Sequence, residues 1–207
     1  MALHEAALTD AQLRALTDAA GVASKESFYL AGGAALALWF GHRRSVDLDW
    51  FRRRRIVDPL ELARGFTDAG VAFDVTTNVK GTLHGVANGV KMSFLEYPYK
   101  MLARPTKWKE AGCALASRED LACMKLSAMA DRGAKKDFID LYFLGQEIPL
   151  ARMLELYQTK YGVSDIAHLV VALAYFDDAE RQRMPQMIRK VSWTAVKAEI
   201  RGWIRRL

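Results

Sequence analysis

The hydrophobic periodicity of this chain changes once along its length, and that change limits the folds that the chain can adopt. Between residues 71 and 97, apolar and polar residues alternate with a period of two, which is typical of half-buried strands. After Pro105 the spacing becomes helical, over 118–132, 135–144, 150–161, 165–180 and 192–206. The sequence therefore predicts an α+β fold in which a sheet precedes a helical bundle.

The N-terminal part supplies the other elements of the predicted sheet region. Strands are expected over 28–33 and 45–51, and helices over 8–20, 34–40 and 59–69, each ending at a glycine. Asn88 and Gly89 separate two alternating runs, which is the strongest short-range signal for a β-hairpin. We therefore expect a small mixed sheet with flanking helices in residues 1–107, followed by a C-terminal helical domain in residues 108–207.

The composition is that of a globular protein, and no apolar run approaches the roughly 20 residues that cross a bilayer. The N-terminus carries His4, Glu5 and Asp10 where a signal peptide would need an apolar core. We therefore expect a cytoplasmic protein without membrane association. Cys113 and Cys123 stand alone, so we expect reduced thiols rather than zinc ligands or a disulfide.

Asp47 and Asp49 are separated by one residue on a predicted strand, so both carboxylates project from one face. Val46, Leu48 and Trp50 should then point into the core. Two carboxylates this close repel each other unless a cation lies between them, and Mg²⁺ is commonly held by one or two carboxylates plus substrate phosphates. The pair predicts a divalent metal site; the alternative is a solvated strand face at a sheet edge.

Gly32 and Gly33 end one predicted strand and open a helix. Their backbone N–H groups and the helix dipole can bind a phosphate. Arg44 and Ser45 lie just upstream of Asp47 and can add a guanidinium and a hydroxyl. A phosphate site and a metal site are therefore expected at adjacent strand ends.

Three charged residues lie within predicted helices further along the chain. Lys125 falls in the apolar stripe of its helix, so its amine either extends past its neighbours to solvent or contacts a phosphate. Asp137 and Asp140 share one face near a helix start, where the helix dipole alone can stabilise them. The apolar residues that follow predict a buried helix, which also leaves a functional role open.

Two blocks in this order resemble motifs of a known protein family. The first is FYLAGGAALALWFGHRRSVDLDWF (28–51), and the second is DLACMKLSAMADRGAKKDFIDLYFL (120–144), with its lysine and its KDxxD pattern. They resemble the AbiEii/AbiGii toxin family, within the DNA polymerase β-like nucleotidyltransferase superfamily. The two blocks and their spacing cover most of residues 28–144, and the residues that follow match only in being helical.

The resemblance implies a nucleotidyltransferase-type sheet and a metal-dependent transfer of NMP from an NTP to an acceptor hydroxyl. It implies that Mg²⁺ or Mn²⁺ is held by Asp47 and Asp49, and that the helical domain completes the active-site cleft. The other implied site residues bind the triphosphate or join the reaction: Gly32, Gly33, Arg44, Ser45, Lys125 and Asp137.

The resemblance also implies a biological role and partners. It implies the toxin of a toxin–antitoxin or phage-defence pair, with RNA, in particular the tRNA 3′ end, as acceptor and a cognate antitoxin protein as partner. The net charge of +6 is compatible with an RNA acceptor, but on charge alone a solvated basic surface is favoured. The alternatives are a catalytically silent nucleotide- or RNA-binding protein of the same fold, and nucleotide transfer to a protein partner.

The sequence departs from the family pattern at two places. Ala34 stands where a serine or threonine commonly follows the paired glycines, and Ser93 stands where the superfamily carries a third carboxylate. Asp74 or Glu96 could replace that carboxylate, and the sequence leaves the choice open. Without a third acid, activation of the attacking hydroxyl would be weaker or would depend on Asp137.

Other charged residues receive simpler predictions. We expect Arg52–Arg55, Lys135 and Lys136 to form a basic surface that guides RNA to the metal. His42 is expected to be solvated in a basic loop, and His84 is expected to be structural.

Overall fold

A computed structural model describes residues 3–207, so Met1 and Ala2 of the predicted first domain lie outside the described residues. Contacts within the chain define two compact units. We call the first the sheet unit, which holds the described residues to Gly41 together with Ser45–Lys100 and Arg104–Ser117. The helical unit holds His42–Arg44, Met101–Ala103 and Arg118–Leu207. The predicted division into domains of residues 1–107 and 108–207 stays a prediction.

The sheet unit is built on a seven-stranded mixed sheet, with the strand order β3-β4-β5-β2-β1-β7-β6. The pairs β1–β7 and β2–β5 are parallel, and the other neighbours are antiparallel. This arrangement confirms the predicted α+β class with a mixed sheet. The strands are β1 Tyr29–Ala31, β2 Leu48–Arg52, β3 Asp74–Val79, β4 Thr82–Ala87, β5 Val90–Glu96, β6 Thr106–Trp108 and β7 Cys113–Leu115.

The predicted hairpin is present between β4 and β5. Asn88 and Gly89 both have positive φ, 51° and 75°, as a two-residue type I′ turn requires. The strands β6 and β7 could not be predicted from periodicity, because runs of three residues are too short to show a period.

The helices of the sheet unit begin and end close to their predicted limits, with one exception. After a short 3₁₀ helix at Glu5–Ala7 come α1 Asp10–Lys25, α2 Gly32–Phe40 and α3 Pro59–Asp68. The prediction that α1 ends at Gly21 was wrong, and the helix continues to Lys25. An interior glycine costs a helix only about 1 kcal/mol relative to alanine, which the burial of α1 offsets.

One face of the sheet is buried. Leu48 and Trp50 of β2 are fully buried, as are Phe94 of β5 and Phe66 of α3, whose rings contact each other. Val46 was expected to share this face, yet it is 73% exposed because it lies before β2 begins. On the opposite face Asp49 is half-exposed, whereas its β1 neighbour Ala31 is buried.

The helical unit contains α4 Arg118–Arg132, α5 Lys135–Gly145, α6 Leu150–Tyr161, α7 Ala167–Ala174, α8 Asp177–Glu180 and α9 Trp193–Ile204. The single helix predicted over 165–180 is divided, because Tyr175 adopts an extended conformation with ψ 107°. The remaining predicted helices agree with the structure within a few residues. No helix in residues 3–207 is both long and apolar enough to cross a membrane.

Candidate active site

The paired carboxylates lie at the start of β2. Leu48 and Trp50 are fully buried, and the alternation of a strand therefore turns Asp49 to the opposite, half-exposed face. Asp47 directly precedes the strand and is also half-exposed. The Asp49 side chain is therefore partly accessible on the face opposite Leu48 and Trp50, and its convergence with Asp47 stays a prediction.

Gly32 lies against the Asp49 carboxylate. Its φ is +62°, and a Cβ atom built at this position would lie 2.7 Å from Asp49 Oδ2. Residues other than glycine are therefore excluded for two reasons, the left-handed backbone and the clash of a Cβ atom with Asp49. The close approach follows from the register, in which Ala31 of β1 pairs with Asp49 of β2.

The same glycine begins helix α2. Gly32 and Gly33 are half-exposed, whereas the five residues after them are fully buried. Ala31, at the N-cap, makes no side-chain capping hydrogen bond. The N-terminus of α2 therefore presents backbone N–H groups and the positive end of its dipole where a phosphate can bind, next to Asp49.

The carboxylates of Asp47 and Asp49 fit a metal ion that binds together with the phosphates of a nucleotide. Residues 3–207 contain no group of three or more His, Cys, Asp or Glu side chains arranged to hold a metal. Mg²⁺ accepts one or two carboxylates and completes its octahedron with water and phosphate oxygens. Asp47 and Asp49 with a nucleotide satisfy that requirement, and they do not by themselves form a closed protein cage.

Ser45 and Arg44 are engaged in protein contacts. The Ser45 hydroxyl is within 3.5 Å of the Asp47 carbonyl. The backbone carbonyl of Ser45 accepts a hydrogen bond from Gln12 Nε2 at 2.8 Å. The Arg44 N–H donates to the Gln186 carbonyl. Ser45 therefore fixes the chain where it enters β2, and phosphate contacts by these two residues stay predictions.

Ser93 is the neighbour of Asp49 in the sheet. In the parallel pair β2–β5, Asp49 is opposite Ser93. Asp74 lies on the edge strand β3, where it pairs with Val86 of β4, and β3 is two strands away from β5. Glu96 Oε2 accepts the backbone N–H of Ile56 at 3.2 Å. Of the residues considered for a third acid, Ser93 alone lies beside Asp49 in register.

The helical unit contains a buried charge cluster centred on Asp140. Its carboxylate is fully buried and accepts from His42 Nε2, from Arg43 Nε and Nη2, and from Lys125 Nζ, at 2.6–2.9 Å. Sequence reasoning missed Arg43, whose role no local pattern indicated. Burial would raise the pKa of Asp140, but the charges of Lys125 and Arg43 hold this pKa well below its usual range.

Lys125 does not extend to solvent. Its side chain is 6% exposed, and Nζ lies 2.9 Å from both Asp137 Oδ1 and Asp140 Oδ2. Arg132 also donates to both oxygens of Asp137. Burial would raise the pKa of Asp137, but the hydrogen bonds from Arg132 and Lys125 and their charges lower it. The triphosphate contact of Lys125 and a catalytic role of Asp137 stay predictions.

His42 was expected to be solvated, and that prediction was wrong. The ring is fully buried and contacts Phe143, with ring centroids 4.7 Å apart. Burial lowers the pKa of His42 despite the hydrogen bond and charge of Asp140. His42 is therefore neutral at pH 7 and donates its Nε2 hydrogen to Asp140.

Two members of the predicted basic surface are buried. Arg52 is 8% exposed, donates to Glu26 at 2.7 Å and lies over the Phe28 ring. Lys135 is 5% exposed and donates to the Glu180 carbonyl. Both are held inside their own units by these partners, whereas Arg53–Arg55 and Lys136 are not buried.

A separate concavity of the sheet unit lies away from the paired acids. A groove of about 710 Å³ runs between α1 and α3, and neither Asp47 nor Asp49 lines it. Its walls mix acidic side chains such as Asp18 and Glu61 with basic ones such as Lys25, so it favours no ligand of a single charge. The Asp49 site remains the better candidate because a helix N-terminus and a carboxylate meet there.

Known proteins match this chain along most of its length. A protein-family model described as "Nucleotidyl transferase AbiEii toxin, Type IV TA system" matches residues 14–97 and 89–202. An uncharacterized protein of Aquifex aeolicus (strain VF5) is 37% identical over 174 residues, which span 83% of this chain and 84% of that protein.

Two solved structures share the fold. The crystal structure of an H. pylori protein described as a nucleotidyltransferase gives a TM-score of 0.58 at 18% identity, covering 98% of this chain and 92% of that one. MenT4, a nucleotidyltransferase toxin from Mycobacterium tuberculosis H37Rv, gives a TM-score of 0.52 at 16% identity. This match covers 95% of this chain and 85% of that one.

The fold and the sequence matches together define the class of this protein as a nucleotidyltransferase. Because the family model covers most of the chain, the chain belongs to the nucleotidyltransferase AbiEii toxin family of type IV toxin–antitoxin systems. The resemblance of residues 28–51 and 120–144 to this family is thereby confirmed.

Gly32→Ala tests the contact between Gly32 and Asp49. We expect nucleotide transfer to fall by about 100-fold, because a displacement of about 1 Å at a site can cost that much. The left-handed backbone should add a loss of about 1–2 kcal/mol in unfolding free energy. Gly21→Ala is the control, since a Cβ there meets nothing within 4 Å. An active Gly32→Ala enzyme would contradict the assignment.

The buried, neutral His42 predicts a pH dependence of stability. Its pKa is lowered from 6.5 in the folded protein, so the unfolded chain binds a proton first as the pH falls below about 6.5. The unfolding free energy should therefore decrease from pH 7 to pH 5, by at most about 1.4 kcal/mol per pH unit for this group. His42→Gln should flatten the curve in this window.

Proposed function

We propose that this protein transfers NMP from an NTP to an acceptor hydroxyl of RNA, with the tRNA 3′ end as the acceptor, and that it acts as a toxin in a toxin–antitoxin or phage-defence pair. The observation that supports the proposal is the contact between Gly32 and Asp49, which brings the N-terminus of α2 next to one of the two acids. A phosphate and a carboxylate repel each other, so their adjacency favours a shared cation.

Each residue of the sheet-unit site has a defined task in this proposal. The N–H groups at Gly32 and Gly33 bind phosphate oxygens and orient the NTP. Asp47 and Asp49 would hold Mg²⁺ or Mn²⁺. When bound, the metal neutralises phosphate charge and acidifies a coordinated hydroxyl. Ser45 positions the segment that carries Asp47.

Lys125 and Asp137 enter the proposal through the family motif. Asp137 forms ion pairs with Lys125 and Arg132. We propose that Lys125 offsets triphosphate charge, and that Asp137 holds the lysine in place rather than taking up a proton. The lowered pKa of Asp137 makes it a weak proton acceptor and supports this division of roles.

The net charge of +6 and the exposed run Arg53–Arg55 support a polyanionic acceptor. The run follows β2 directly, so only a few residues separate it from Asp49. A cognate antitoxin is the expected protein partner of a toxin from this family. Ser93, which supplies no carboxylate beside Asp49, favours the second candidate function, a catalytically silent nucleotide- or RNA-binding protein.

Incubation with each α-labelled NTP, Mg²⁺ and total RNA tests the proposed activity. We expect label to enter RNA with the wild-type protein and to be absent with Asp49→Asn and Asp47→Asn. Thermal melting of each variant is measured in parallel, so that a loss of folding is distinguished from a loss of transfer. An Asp58→Asn variant, altered on an exposed helix cap, is the control. Label in protein would indicate a protein acceptor, and label in nothing would support the silent alternative.

A triple Arg53→Gln, Arg54→Gln and Arg55→Gln variant tests the RNA surface. We expect weaker RNA binding and a salt slope reduced by about 0.7 for each phosphate of single-stranded RNA that is no longer neutralised. Binding of NTP with Mg²⁺ should be unchanged. The charge-matched control neutralises Arg181, Arg183 and Lys190, which are also exposed. If both triple variants bind RNA with the same affinity and the same salt dependence, Arg53–Arg55 have no specific role in RNA binding and are only solvated surface residues.

A further inference from the structure

A row of polar residues crosses the half-exposed face of the sheet next to Asp49. Asp49 of β2 pairs with Ser93 of β5, and Ser93 pairs with His84 of β4. All three are half-exposed, whereas residues on either side along their strands, such as Leu83 and Phe94, are fully buried. The row therefore lies on the face where the proposed nucleotide site opens.

The second and third members of the row are hydrogen-bonded. His84 Nδ1 lies 3.1 Å from Ser93 Oγ. When Nδ1 carries no hydrogen, the Ser93 O–H donates to it, and the lone pairs of Ser93 Oγ then face away from His84. In that tautomer Ser93 can accept a hydrogen bond from a hydroxyl held beside Asp49.

The acids of the helical unit are poorly suited to take a proton. Asp137 accepts from Lys125 and Arg132, and Asp140 accepts from His42, Arg43 and Lys125. Both carboxylates are stabilised as anions by these contacts. The attacking hydroxyl must nevertheless lose its proton during nucleotidyl transfer, so another acceptor is required.

We propose that Ser93 and His84 form the proton relay of this reaction, an inference that rests on the proposed nucleotidyl transfer. The acceptor hydroxyl gives its proton to Ser93 Oγ while the Ser93 proton passes to His84 Nδ1. The acceptor oxygen forms a bond to the α-phosphorus. The bond between the α-phosphorus and the oxygen that bridges to the β-phosphate breaks, and pyrophosphate leaves. Ser93 touches the reacting hydroxyl, and His84 acts through Ser93 as a positioning residue and final proton acceptor.

The surroundings of His84 are compatible with this role. Thr77 of β3 faces it from the other side and is uncharged. The charged residues of neighbouring strands on this face are Lys91 of β5, Asp74 of β3 and, beyond Ser93, Asp49. Lys91 and Asp74 both pair with Val86 and are exposed, so solvent screens them.

Steady-state kinetics of Ser93→Ala, His84→Phe and the double variant test the relay. We expect kcat to fall by about 100-fold or more in each single variant, the range for loss of a general base, with KM for NTP unchanged. The double variant should be no slower than the slower single variant, because residues that act as one unit are not additive. Thr82→Val, on the same face of β4, is the control and should keep full activity.

The outcomes separate the relay from the proposed function. Loss of activity in Asp49→Asn with wild-type kcat in Ser93→Ala and His84→Phe would overturn the relay and leave the transferase assignment intact. An active Asp49→Asn would overturn the assignment itself. Additive losses in the double variant would contradict coupling. If melting shows that His84→Phe is unfolded, Ser93→Ala and the milder His84→Asn decide the question, and wild-type kcat in both would again overturn the relay.

Discussion

The close approach of the Gly32 backbone to the Asp49 carboxylate is the constraint on which the candidate site depends. Antiparallel pairing of β1 with β2 brings the N-terminus of α2 next to Asp49, and the absence of a Cβ at Gly32 allows the close approach. The helix dipole stabilises negative charge at this point, whether it belongs to Asp49 or to a phosphate. With both present, their repulsion favours a bound cation, which is the metal of the proposed function.

The helical unit satisfies a different constraint, which is the burial of several charges. Asp140 is fully buried and is stable as an anion only because Arg43, Lys125 and His42 surround it. Removing one partner of such a cluster typically costs about 3–5 kcal/mol, because the remaining charges stay buried without compensation. The segment His42–Arg44 belongs to the helical unit by its contacts, although it is continuous in sequence with the strand that carries Asp49.

Local patterns predicted much of the fold and of the sheet-unit site. The alternation in β2, the glycines of α2 and the Asn88–Gly89 turn each depend on neighbouring residues, so the sequence shows them directly. The errors involve long-range partners. Nothing next to Arg52 or His42 in sequence reveals that Glu26 and Asp140 bind them. The pairing of Ser93 with Asp49 and His84 likewise depends on strand order, which periodicity does not define.

The most direct test of the proposed metal-dependent site is a crystal structure of the protein with Mn²⁺ and a non-hydrolysable α,β-imido NTP, using the anomalous signal of manganese. We expect an anomalous peak coordinated by Asp47 and Asp49 and by phosphate oxygens, with a phosphate against the Gly32 backbone. A nucleotide bound without the metal, or a manganese peak away from both carboxylates, would contradict this site.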